Sequence, residues 1–352
     1  MSGQQGGPPG PVDQSQDSIS VSRFVGLRNT LSAERLAPNE LERAQNLDLD
    51  DVGQPHRRRG YTQVATGSWH SLFTSTRGVL GVKDGVLSII NPDFSTQTLQ
   101  SGVGPAPVAY VDVGPETYFS SATDSGVIGA DNSVGQWGIE GGAGTWLSPV
   151  VNPTSTLAPI QGRLLGAPPL ATALAYYNGR IYLAEGRTVW ATELFMYRYV
   201  DKTRTYMLFE SDVTVIGAVT DGLYVGTRAG IYFLGGTFGE MKRLPLSTYG
   251  ALPGSLVTVP AELVHPQANA SRNAVVFMTT SGLVAGFDGG QLLNLTQDRF
   301  LFPGAVSAAA LFRRQDGVNQ YIGATDSGGS PTSAARIGDY VDVEIRRFQG
   351  GA

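Results

Sequence analysis

From about residue 62 onward the chain repeats one alternation. A glycine-bearing turn leads to a short apolar strand, then a second turn and another apolar strand. The clearest copies are "RGVLGVKDGVLSII", "NGRIYLAEGRTVWATE", "DGLYVGTRAGIYFLGG" and "SGLVAGFDGGQLLNLT". "SGVIGADNSVGQWGI" is a weaker copy, and "NQYIGATDSGG" suggests a sixth. Apolar runs such as "ATALAYY", "DVTVIGAVT", "NAVVFMTT" and "VSAAALFRR" precede the hairpins. A unit thus holds four short strands in roughly 40–60 residues, the period of a β-propeller blade. A lone four-stranded sheet cannot bury both faces, whereas radial packing covers them and leaves only short edges.

The expected fold is therefore all-β: a β-propeller of six four-stranded blades, with five or seven as alternative counts and two tandem β-sandwiches as the rival architecture. The blades are expected near residues 62–99, 107–150, 170–210, 213–250, 256–300 and 305–350. The terminal run "YVDVEIRRF" alternates like a strand and is expected to close the ring against the early "SISVSRF".

Ahead of this region stand two shorter ones. Residues 1–17, "MSGQQGGPPGPVDQSQD", have almost nothing to bury and read as a flexible arm. In residues 18–61, Ile19, Val21, Phe24 and Val25 predict a short strand, and Asn39 with Glu42 predicts a capped helix of about two turns. Leu47 and Leu49 alternate with Asp48 and Asp50, a turn follows at 52–55, and "RRRGYTQVA" returns. This predicts a β-hairpin with an acidic arm and a basic arm that attract across the strands. Residues 62–352 form the propeller.

Composition narrows the function. Charged residues are 16% of the 352, while Gly 46 and Pro 20 exceed their ordinary shares, as tight turns between short strands require. The net charge of −5 argues against a general nucleic-acid coat, which needs a positive field. Lysine occurs only at Lys83, Lys202 and Lys242, so arginine supplies the rest of the 25 basic residues. That bias fits a surface largely covered by partners, and equally a GC-rich coding sequence. With no cysteine, disulfide scaffolds, thiolate zinc sites and cysteine nucleophiles are excluded. The start has no secretory pattern, and no apolar run approaches the ~20 residues of a membrane span.

Little points to catalysis. His56, His70 and His265 each stand alone, without a second histidine at metal spacing. The glycine-rich stretches open strands rather than helices, so they offer no phosphate cradle. Asp48, Asp50 and Asp51 lack the glycine and terminal glutamate of a calcium loop. Asp84, Asp131, Asp221 and Asp288 read as turn formers. No cofactor and no metal is expected.

The stretch from Phe24 to Val64, "FVGLRNTLSAERLAPNELERAQNLDLDDVGQPHRRRGYTQV", resembles the N-terminal signature of a group of tailed-bacteriophage virion proteins. Gly26, Asn29, Pro38, Glu42, Ala44, Asn46, Asp48, Asp50, Asp51, Gly53, Arg57, Arg58, Arg59, Gly60 and Tyr61 carry the likeness. It covers about 40 residues closely and the rest only in style. The resemblance implies a structural tail protein, with a tail nozzle as the nearest physical analogue. In such a nozzle, propeller subunits form a ring, usually sixfold, around the DNA exit channel. A tail-tip or fibre-attachment protein is the variant reading.

The implied partners are other copies of the chain in a hexameric ring, other tail or adaptor proteins, and DNA that passes without specific binding. The implied location is the virion tail, after assembly in the host cytoplasm. Asp48, Asp50 and Asp51 with Arg57, Arg58 and Arg59 are the candidate assembly residues. Two further functions stay open: a receptor- or glycan-binding propeller with Trp69, Trp137, Trp146 and Trp190 as candidate sugar platforms, and a propeller glycosidase.

Overall fold

The structure, a computed structural model, describes residues 21, 23–44, 47–49, 53–57, 62–138, 165–265, 272–296, 299–302, 304–315 and 318–326. Two compact units divide the chain, Met1–Arg59 and Gly60–Ala352.

In the first unit, β1 (Leu47–Leu49) pairs antiparallel with β2 (Pro55–Arg57). The expected strand and helix before them do not form. Val21, Phe24 and Val25 lie in irregular extended chain, and Ile19 falls outside the described residues. The short helix is a 3-10 turn at Ala33–Arg35 instead, upstream of the predicted place. Glu40 explains why. Its carboxylate accepts the Ala37 N–H at 3.1 Å and pairs with the Arg28 guanidinium at 2.8 Å, fixing a turn where a helix would have to start. Leu41 then bridges to Leu27 as in a parallel pair.

The second unit is all-β, with no α-helix among its described residues. Its first sheet is β3 (Trp69–Ser75), β4 (Gly78–Lys83), β5 (Val86–Ile90) and β6 (Thr96–Ser101). The second is β7 (Ala109–Val113), β8 (Glu116–Ser120), β9 (Ser125–Ile128) and β10 (Val134–Gly135). The third holds β11 (Leu165–Gly166), β12 (Ala173–Tyr177), β13 (Arg180–Glu185), β14 (Thr188–Glu193), β15 (Met196–Asp201) and β16 (Tyr206–Leu208).

The fourth sheet is β17 (Val213–Ala218), β18 (Gly222–Thr227), β19 (Ile231–Gly235) and β20 (Lys242–Ser247). The fifth is β21 (Val257–Pro260), β22 (Asn273–Thr279), β23 (Gly282–Phe287) and β24 (Gln291–Asn294). A two-stranded sixth sheet is β25 (Ser307–Gln315) with β26 (Val318–Asp326). Four sheets are simple antiparallel meanders. In the third, β14 is shared: its start pairs with β16 and its end with β15, which also pairs with β11.

The sequence repeat runs through these sheets in two phases. Gly78, Gly179 and Gly222 stand at the starts of second strands, whereas Gly126 and Gly282 belong to third strands.

The core is not one mass. Five apolar clusters lie between successive sheets, and strand alternation feeds them. On β7 and β8, Tyr110 and Phe119 face the first sheet while Val111 and Tyr118 face the third. On β13, Ile181 and Leu183 point back to the second sheet, and Tyr182 and Ala184 forward to the fourth. Tyr224, Val275 and Phe277 fill the fourth-to-fifth junction, and Val276, Met278 and Tyr321 the fifth-to-sixth. Each sheet is thus sealed by the next, which gives a propeller-like fold. A large side chain recurs near the middle of every second strand: Leu80, Tyr118, Tyr182, Tyr224, Phe277 and Tyr321, all fully buried. Burial pushes the hydroxyls of Tyr118, Tyr182, Tyr224 and Tyr321 upward, so each stays protonated in the interior.

The two ends of this row are different. Leu72 on the first sheet is 63% exposed and Leu311 on the last is 51% exposed. Both sit on the face turned away from their one sealed junction. The neighbours of Leu311, Ala310 and Phe312, pack into the fifth-to-sixth cluster, and Phe73, next to Leu72, packs into the first-to-second.

Candidate functional site

The hairpin expected to be an assembly site is present, in a specific register. Asp48 stands opposite His56, Leu47 opposite Arg57 and Leu49 opposite Pro55. Asp48 therefore stands opposite a histidine, and Arg57 opposite a leucine. Arg57 and His56 are exposed. Asp50, Asp51, Arg58 and Arg59 lie outside the described residues, as do the arm at 1–17 and the closing run "YVDVEIRRF". Two glycines of the signature have local reasons. Gly26 and Gly53 hold φ of 111° and 81°. A side chain on Gly53 would also strike the Phe24 carbonyl oxygen, whose residue donates its own N–H to Gly53 at 2.8 Å. That contact ties the start of the signature to its hairpin turn.

In the second unit, polar side chains at the turns fasten neighbouring sheets. Arg77, on the turn after β3, reaches the second sheet. Its guanidinium donates to the carbonyls of Pro115 at 2.7 Å and Gly129 at 2.6 Å, and to the Asn132 side chain at 2.9 Å. Asp112 returns the contact by accepting the Thr76 N–H at 3.1 Å. Between the fourth and fifth sheets the exchange is reciprocal. Asp288 accepts the Thr220 N–H and Asp221 accepts the Gly289 N–H, both at 2.8 Å.

The four aspartates read as turn formers do sit in turns. Asp131 accepts from the Ser133 N–H and hydroxyl, which hold its carboxyl below the usual range, and Asp84 accepts the Ser68 N–H. Asp221 and Asp288 act across a junction as well. That part was invisible in sequence, because 67 residues of fold separate partners that only packing brings together.

The tryptophans are placed unequally. Trp137 is buried, packs on Tyr118 at 5.2 Å and donates its indole N–H to the Tyr197 carbonyl at 2.8 Å. Trp69 is half-buried under the Lys83 ammonium, 5.6 Å from its ring centre. Trp190 packs against Tyr206 on the outer edge and donates to Glu185 at 2.9 Å. Trp146 is outside the described residues. Of the histidines, His70 contacts the Ser71 hydroxyl at 2.8 Å and His265 meets the edge of Phe287. Among the described residues, no group of three or more His, Asp or Glu is placed to hold a metal ion.

One groove of about 560 Å³ opens at the tips of the second and third sheets. Val113, Gly114, Pro115, Glu116, Ala130, Tyr176 and Tyr197 line it. The Tyr176 and Tyr197 rings stand at 72°, with centres 5.9 Å apart. Glu116 accepts the Tyr118 hydroxyl at 2.5 Å, and its other oxygen faces Arg198 at 3.5 Å. Burial, then a hydrogen bond with the Tyr176 side chain, pushes the Tyr197 hydroxyl up to about 12. Sequence reasoning missed this groove, since its residues come from two sheets and form no motif.

No protein-family pattern matches the chain, and no curated protein matches it in sequence. Solved structures resemble it at low similarity. The extracellular domain of a hybrid two-component system from B. thetaiotaomicron shares 13% identity over 87% of this chain and 36% of that one, with a TM-score of 0.46. The computationally designed Ika8 protein shares 13% identity over 76% of this chain and 73% of its own, with a TM-score of 0.40. PorZ, a bacterial surface component of the type-IX secretion system of Porphyromonas gingivalis, shares 10% identity over 76% of this chain and 38% of its own, with a TM-score of 0.36. The chain thus spans 36% of the length of the first of these relatives.

Proposed function

We propose that this chain is a structural component of a bacteriophage tail, a ring-forming nozzle or tail-tip protein around the DNA exit channel. Its second unit closes into a six-bladed propeller when the last sheet docks on the first and covers Leu72 and Leu311, which stand exposed on the two outer faces here.

The observation that carries the assembly role is the first unit. Its described residues have defined backbone pairing, yet the apolar side chains whose burial is described are half-buried or exposed. A segment that buries so little does not offset its own ordering entropy. It needs a surface from outside, and the phage signature of residues 24–64 supports a neighbouring copy or tail protein as that surface. The shortage of lysine fits the same covered state.

Negative-stain imaging of the purified chain tests this. The full chain is expected to form closed rings, and a variant lacking residues 1–59 single wheels with an unchanged β signal by circular dichroism. A full chain that stays a single wheel at high concentration, together with no antibody label on virion tails, contradicts the proposal.

A further inference from the structure

We propose that the groove between the tips of the second and third sheets binds one pyranose ring of a saccharide. Tyr176 is 37% exposed and presents aromatic surface on which the C–H face of a sugar can lie. Beside it, the side chains of Glu116 and Arg198 are 33% and 31% exposed. Glu116 lines the groove and offers a carboxylate acceptor to neighbouring hydroxyls, while Arg198, 3.5 Å from one of its oxygens, holds that carboxylate in place. Apolar walls with a few fixed polar groups are the usual makeup of a small-ligand site.

The polar groups are held before any ligand arrives. The Tyr118 hydroxyl anchors Glu116, and the Trp137 indole holds the backbone of Tyr197. Preorganisation of this kind lowers the ordering cost of binding.

Two other ligand classes fit less well. A phosphate or carboxylate would meet a guanidinium already facing Glu116, so the site is close to neutral. A flat heteroaromatic base clamped between two rings needs them parallel, and Tyr176 and Tyr197 stand at 72°. A pyranose needs one aromatic face and one polar edge, which this groove has. The exposed ring is Tyr176, and Trp137 is packed behind the groove. Binding here is a property of the isolated chain and is independent of the tail role.

The test titrates the full chain with glucose, galactose, rhamnose, N-acetylglucosamine and short oligosaccharides of each. Saturation-transfer NMR and tryptophan emission are the readouts, Trp137 reporting from behind the groove. At least one sugar is expected to bind. Tyr176→Ala and Glu116→Gln should each weaken it about tenfold or more, equal to about 1.4 kcal/mol. Tyr206→Ala, at the outer Trp190 edge, should leave binding unchanged. Glu116→Gln preserves size and serves as the decisive variant if Tyr176→Ala misfolds. Absence of binding across the panel overturns the proposal. So does binding that survives Glu116→Gln, or that is lost only in Tyr206→Ala.

Discussion

Replacing Tyr224 by alanine is expected to lower the unfolding free energy by about 3–5 kcal/mol, the range for deleting a buried aromatic side chain. Tyr224 is fully buried between the fourth and fifth sheets. Its hydroxyl is shared between the carbonyls of Phe287 at 2.6 Å and Gln291 at 2.8 Å, both on the next sheet. Gly286 makes room for the ring: a Cβ there would come within 2.6 Å of it. Alanine would remove the packing and leave the two carbonyls without this donor. Tyr224→Phe keeps the ring and loses only the donor, so about 1–2 kcal/mol is expected. Denaturant unfolding followed by circular dichroism separates the two variants. Equal small losses would mean that the junction does not hold the sheets together.

Gly254→Ala is the second large effect. Gly254 sits at the crossing from the fourth sheet to the fifth with φ of 80°, and a side chain there would strike the Ala308 carbonyl oxygen on β25. The obstacle is backbone, so no rotamer change relieves it. The left-handed conformation alone costs an alanine about 1–2 kcal/mol, and the steric conflict adds to that. Ala308 also donates its N–H to Pro253 at 2.9 Å, so the substitution strains the contact that docks the sixth sheet. The expected result is faster amide exchange over β25 and β26, with the first three sheets unchanged. Uniform exchange across the chain would place the weak point elsewhere.

The strands were legible because their physics is local. Alternation exposes Tyr182 to one neighbour and Leu183 to the other, and that period is written in the residues themselves. The hairpin at Leu47–Arg57 was legible in part: the turn glycine Gly53 is where the backbone requires it, but the return strand is Pro55–Arg57, earlier than the expected "RRRGYTQVA", whose residues 62–65 are not strand. The helix expected after Asn39 failed because a propensity lost to one side chain, Glu40, whose partners Arg28 and Ala37 decide the local path.

The groove was beyond reach, since Glu116, Tyr176 and Tyr197 converge only after two sheets pack. Trp137, a candidate sugar platform on residue type with core or blade packing as the simpler reading, is a packing residue. Its burial follows from the partners Tyr118 and Tyr197, which a linear pattern does not reveal.

The central claim is that the last sheet closes on the first, and a distance between them tests it most directly. The chain has no cysteine, so labels can be placed cleanly. Thr74 lies near the end of β3 on the face of Leu72, and Arg313 near the end of β25 on the face of Leu311. Spin labels at Thr74→Cys and Arg313→Cys should give one narrow, short distance, because packed sheets lie about 10 Å apart. A broad distribution, or a separation matching opposite ends of an open row, contradicts the closed wheel.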